Sequence, residues 1–105
     1  MRVRILDEAT AEVDWAVGSG EMIARGQGER LYREYLGVIE WAQQFPHSGS
    51  PIAGLETEHE VRGFPLGARL PFAAVVVIAP DELVVVALAH HRQEPGYWKT
   101  RLKDV

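Results

Sequence analysis

The chain has 105 residues, enough for one domain around one core, and 47% hydrophobic and 25% charged residues, as in an ordinary soluble globular protein. It holds no cysteine, which excludes a disulfide framework and thiolate chemistry. The net charge is −4, with five basic and eleven acidic residues in 1–60 but six and four in 61–105; this balance argues against tight non-specific nucleic-acid binding, which needs a dense cationic face.

The N-terminal MRVRILDEA carries no apolar leader, and no stretch approaches the roughly 18 apolar residues of a membrane span, so a cytoplasmic protein is expected. Residues 3–6 (VRIL) read as a short strand. Asp7 is the expected helix N-cap, and Glu8 and Glu12 favour a helix start through the dipole. This first helix should run to about Arg25, with a kink or break at Gly18-Ser19-Gly20 because each glycine costs about 1 kcal/mol relative to alanine. Gly26-Gln27-Gly28 reads as the turn into a second helix. There Leu31, Tyr35, Val38, Ile39 and Ala42 share one face, Arg30 and Glu34 are spaced to pair, and Phe45-Pro46 forms the stop.

Residues 47–57 form a Ser/Gly/Pro-rich loop, followed by three expected strands at 60–65, 72–78 and 83–89, the last two joined by a Pro80-Asp81-Glu82 turn. The tail from Gly96 to Lys103 is expected to make a short helical turn. The order β-α-α-β-β-β predicts a single α+β domain over residues 1–105. A strand covered on one face should alternate, yet FAAVVVI and LVVVALA do not. With only two helices available to cover the sheet, the expectation is that the second apolar face is buried by a partner molecule.

Candidate chemistry gathers after the last strand. His90 and His91 adjoin at its end, so their side chains point to opposite faces and do not readily share a metal. No third ligand stands at zinc-site spacing, and neither a metal nor a cofactor is expected. Glu12, Asp14, Glu21 and Glu40 read as the wet side of the helices. Arg62, Arg69, Arg92, Lys99 and Arg101 form a cationic set that could hold a phosphate, with His90 or Tyr97 moving a proton; the alternative is that Arg62, Arg69 and Arg92 pair with an acidic partner or with the acidic helices. Tyr97 and Trp98 read either as packing residues at the sheet end or as a base-stacking platform.

Several stretches, in family order, resemble the ParE/RelE superfamily of toxins from type II toxin–antitoxin and plasmid-stabilisation systems. Ala11-Glu12 to Trp15 and Gly26-Gln27-Gly28-Glu29-Arg30-Leu31 resemble its helical hairpin, and Phe45-Pro46 with Ser48-Gly49 its helix exit. Val61-Arg62 with Phe64-Pro65, then Arg69-Leu70-Pro71-Phe72, resemble its following strands. ALAHHRQEPGYW, residues 87–98, resembles the AHxRRxPGYW ending of one subgroup.

The resemblance implies a small toxin neutralised by a cognate antitoxin, as a homodimer or a hetero-oligomer with that antitoxin. RelE-like members cleave mRNA on the ribosome; ParE-like members poison DNA gyrase. The chain departs from the pattern by lacking a tyrosine after the third strand's aliphatic run, by carrying Gln93-Glu94 where arginines are usual, and by having only Lys99 and Lys103 as lysines. Each departure removes charge or a proton carrier from an RNA site, so the resemblance favours a ParE-like, non-enzymatic toxin. Its binding residues would be Arg62, Arg69, His90, Arg92, Tyr97 and Trp98. For the alternative mRNA endoribonuclease, the catalytic set would be Arg69, His90, Arg92 and Tyr97; a non-toxic interaction module of the same fold is the third reading.

Overall fold

The two continuously apolar runs pair with each other and form the middle of the sheet. In the computed structural model, which describes all 105 residues, β4 (Phe72–Ile78) and β5 (Glu82–His90) are antiparallel neighbours. β3 (Glu60–Pro65) flanks β4, a two-residue β2 (Ser50–Pro51) flanks β3, and β1 (Arg2–Ile5) lies parallel to β5, giving the sheet order β1-β5-β4-β3-β2. The fold is α+β, with the expected β-α-α-β-β-β course and β2 as a small addition.

The helical hairpin of α1 (Asp7–Ile23) and α2 (Gln27–Gln44) covers one sheet face. Ala9, Val13 and Ala16 of α1 and Leu31, Tyr35, Ile39 and Ala42 of α2 pack on Phe64, Ala74, Val76, Leu83, Val85 and Leu88. Asp7 is the first helical residue rather than the cap; Leu6 caps in extended backbone without a side-chain bond. The i,i+4 ion pair on α2 is Glu29–Arg33 at 2.7 Å, not Arg30–Glu34.

The expected break at Gly18-Ser19-Gly20 does not occur, and α1 is continuous. The reason is close helix approach. A Cβ on Gly20 would sit 3.3 Å from the Gly28 nitrogen, and one on Gly28 would sit 2.4 Å from the Val17 carbonyl oxygen. These glycines let α1 and α2 meet near the tight turn at Gly26, whose φ is +85°. Glu21 is also no idle surface acid. Its carboxylate accepts from the Gly26 and Gly28 amides at 3.2 and 2.9 Å, satisfying free donors at the start of α2, and the Gly26 bond above all holds its pKa below the ordinary value.

The second sheet face is where the expectation of partner burial fails. Val75, Val77, Val84, Val86 and Ala87 are buried within the chain itself. The cover is a C-terminal 3₁₀ segment (Lys99–Asp104), preceded by Trp98, together with Ile52 and Leu55 of the loop after β2. Trp98 and Leu102 are the largest pieces of this lid that are themselves buried. Both strands are uniformly apolar because both faces are dry in the monomer, the second layer being irregular chain rather than helix.

Candidate functional site

β1 stops halfway along β5. Its last support is the Leu6 amide bonded to the Val85 carbonyl at 3.0 Å, so β5 beyond that point has an open edge. The β4–β5 register shifts between Val75 and Val76, which pair with Ala87 and Val85 and leave Val86 as the extra residue of a bulge. Buried polar groups on such an edge need partners. Glu12 and Arg101 supply them: the Leu88 amide donates to Glu12 Oε1 at 3.1 Å, and Arg101 Nη1 donates to the Val86 carbonyl at 3.0 Å.

The two side chains also join each other. Arg101 Nη1 and Nη2 lie 2.9 and 3.1 Å from the two Glu12 oxygens, with 17% and 20% of the side chains exposed. The Tyr97 hydroxyl donates to Glu12 Oε2, and the Arg101 guanidinium sits 5.3 Å from the centre of the Tyr97 ring. Burial and the neighbouring Glu12 carboxylate hold the Tyr97 phenol far above its ordinary range. Glu12 is thus a hub rather than a wet-face acid. Its position beside the Ala9-Val13-Ala16 stripe is the sequence signal for that role.

The six candidate binding residues divide into two groups. Arg62 clasps its own surroundings: it pairs with Glu60 at 2.7 Å and donates to the His47 and Gly49 carbonyls at 3.0 and 2.7 Å. That bond lowers the Glu60 pKa, and His47 adds to it from 3.0 Å. Tyr97 is engaged with Glu12, and Trp98 lies in the second core. Arg69, His90 and Arg92, by contrast, gather at the end of the sheet where Phe72 pairs with His90. Arg69 occupies the β3–β4 turn, where it and Ala68 both have left-handed backbone (φ +60° and +58°). Arg69 and Arg92 are exposed and make no ion pair. His90 stands edge-on to the Phe72 ring at 5.0 Å, and its Nδ1 accepts from the Arg92 amide at 3.0 Å, which puts the neutral ring's proton on Nε2. His91 is exposed.

Next to this end lies an apolar groove between α1 and the β4–β5 ends. Ala11, Trp15, Phe72, Leu88, His90 and Gln93 line it, with Glu12 at its wall, and its volume is ≈ 540 Å³. A recess of ≈ 190 Å³ extends it past Trp15 and Phe72 towards Ile23, Leu70 and Pro71. Trp15 is 71% exposed, and Met22 and Ile23 continue the apolar strip along α1. No group of three His, Asp or Glu side chains converges to hold a metal ion. Chemically, the arrangement offers an oily groove with one imidazole in its wall, and two free guanidiniums on residues that neighbour its lining in sequence, Arg69 before Leu70 and Arg92 before Gln93.

No family model matches the chain, and no curated protein matches it. Among solved structures, a chain described as "Chromosomal ParDE TA system from P. aeruginosa" is similar in fold, with a TM-score of 0.69 over 86% of this chain and 95% of that one. The two are 19% identical in sequence, so the likeness is one of fold, and it follows the ParE-like course of strand, helical hairpin and antiparallel strands.

Proposed function

We propose that this chain is the toxin half of a toxin–antitoxin pair, ParE-like in that it acts in the cytoplasm by gripping a protein target, with DNA gyrase foremost. A small cognate antitoxin neutralises it. The observation that carries this reading is the fold likeness to a chain of a ParDE toxin–antitoxin system over nearly the full length of both. The apolar groove beside Trp15 and Phe72 supplies a contact surface, and Arg69, His90 and Arg92 supply its charged border. Because the second sheet face is already covered, the contact surface of the proposal is this groove and not that face. Arg62, Tyr97 and Trp98 serve it by holding the frame.

Binding is favoured over catalysis by the state of Tyr97. Its hydroxyl is committed to Glu12 and its pKa is raised, so it is a poor proton carrier at neutral pH. The second reading, a ribosome-dependent mRNA endoribonuclease, is favoured by one observation: Arg69 and Arg92 stand without ion pairs at the end of the sheet that also carries His90, and two guanidiniums are able to neutralise a phosphate.

The test is induction of the chain alone and together with any small adjacent open reading frame. The expected result is growth arrest with the DNA-damage response rising before translation falls, relieved by the co-expressed neighbour. Translation stopping first, with codon-phased cuts in mRNA, would replace the binding reading with the nuclease. Harmless overexpression of folded protein without any neighbour would remove both in favour of a non-toxic module.

A further inference from the structure

No backbone–backbone hydrogen bond fastens the C-terminal lid to the sheet face beneath it. From residue 92 onward every backbone–backbone hydrogen bond is local: Gln93 donates to His90, Tyr97 to Glu94, Lys99 to Gly96, Arg101 to Trp98 and Val105 to Leu102. None reaches into the sheet, whereas β5 is laddered along β4 and, for half its length, β1. What holds the lid is the packing of Trp98 and Leu102 on the Val75, Val77, Val84, Val86 and Ala87 face, the polar knot at Glu12, and a long bond from Arg4 Nη1 of β1 to the Asp104 carbonyl at 3.5 Å. Tyr97 and Arg101 are the two ropes of that knot, and Arg101 is also the lid's one link to a β5 carbonyl. Just before them stands Gly96, whose φ of +76° is open to glycine and strained for other residues.

A segment without backbone–backbone ties to the rest of the fold is a candidate for opening below the free energy of global unfolding. We propose that residues 97–105 form a strap that lifts as a unit about Gly96 while the sheet and the helical hairpin stay folded, and that the Glu12–Arg101 pair is its latch. Closed, the strap keeps the second apolar face dry. Open, it presents that face to solvent, so latch strength sets how often the face is exposed. Glu12 also lines the wall of the α1 groove, which places the latch where events in the groove are felt.

The cysteine-free sequence gives a clean test. Val84 and Val85 are adjacent, both fully buried, and on opposite faces of β5: Val84 under the strap side, Val85 under the helices. Single Val84→Cys and Val85→Cys variants of the full chain are mixed with a chromogenic disulfide reagent under native conditions. If the strap lifts alone, the thiol at 84 reacts about tenfold or more faster than the thiol at 85. Adding Glu12→Gln then accelerates the reaction at 84 about tenfold further, with little effect at 85, while Glu40→Gln, an exposed acid on α2 away from the latch, accelerates neither. Equal rates at 84 and 85 would overturn the strap, because the face would then be reached only through global unfolding. Equal acceleration of both sites by Glu12→Gln would overturn the latch. Should Glu12→Gln not fold, Arg101→Lys takes its place and the comparison of 84 with 85 stands unaltered.

Discussion

Arg101 meets Glu12 from the far end of the chain: its Nη1 lies 2.9 Å from Oε1 and its Nη2 3.1 Å from Oε2, and the same Nη1 reaches the Val86 carbonyl at 3.0 Å. Only a guanidinium spans these three oxygens at once; an ammonium is a point donor. Arg101→Ala leaves Glu12 without its cation and the bulge carbonyl without a donor, and should lower the unfolding free energy by about 2–3 kcal/mol in urea titration. Arg101→Lys should recover less than half of that. A loss below about 0.5 kcal/mol for the alanine variant would mean that water replaces the guanidinium without cost.

The contact between Gly20 and Gly28 makes a second prediction of opposite sign at two glycines of the hairpin. A Cβ on Gly28 would press on the Val17 carbonyl at 2.4 Å and on the Glu21 side chain at 2.8 Å, whereas one on Gly18 meets nothing within 4 Å. Gly28→Ala should therefore destabilise by about 2–3 kcal/mol through forced separation of the helices. Gly18→Ala, inside α1, should stabilise by roughly 0.5–1 kcal/mol. Thermal unfolding of the two variants side by side checks both signs.

These glycines also show where sequence reading stops. Period and punctuation sufficed for β3 and β4, whose bounds match the expectation, and for α2, whose buried stripe is Leu31, Tyr35, Ile39 and Ala42. Propensity alone assigned Gly18-Ser19-Gly20 to a break, because a glycine needed for helix approach looks the same as one that ends a helix. The cover of the second face was illegible for a related reason. Trp98 and Leu102 are isolated apolar residues in a polar tail, with no period to mark them as a layer. Glu12 reads as solvated until a chain segment 89 residues away closes over it.

Tyr35 carries a cost that its burial makes removable. Its hydroxyl is buried with no hydrogen-bond partner, and burial raises its pKa, with Tyr32 adding to the effect. The unpartnered hydroxyl forfeits hydration while the ring still packs between the helices and the sheet. Tyr35→Phe keeps the ring and removes the cost, so the urea midpoint should rise, by an amount corresponding to about 1 kcal/mol. A fall in midpoint would show that the hydroxyl has a partner in solution.

Alkaline pH should weaken the fold through Tyr97. The phenol is raised far above its ordinary value of 10.0 in the folded chain, by burial first and by Glu12 next. Below pH 10 both folded and unfolded chains hold the proton, and the stabilisation is fully present. Above it the unfolded chain releases the proton while the folded chain keeps it, so stability falls as pH rises toward the folded pKa. Between pH 10 and 12 the urea midpoint of the native protein should therefore drop more steeply than that of Tyr97→Phe. Parallel curves would mean that Tyr97 ionises freely in the folded state and is not held by Glu12.

Arg62 and Arg92 belong to one cationic set in the sequence but to different physical situations in the structure. Arg62 ties the 46–51 turn to β3 through Glu60 and two carbonyls, so Arg62→Ala should cost about 1.5–3 kcal/mol of stability. Any loss of growth arrest in that variant should follow the loss of folded protein in the cell. Arg92 is exposed and unpaired, so Arg92→Ala should leave the urea midpoint within about 0.5 kcal/mol of the parent. If it borders the target surface, arrest should nonetheless weaken at equal amounts of folded protein. Quantified induction of the two variants separates frame from contact: full arrest by Arg92→Ala would remove Arg92 from the contact surface and leave recognition to the groove beside Trp15 with Arg69 and His90.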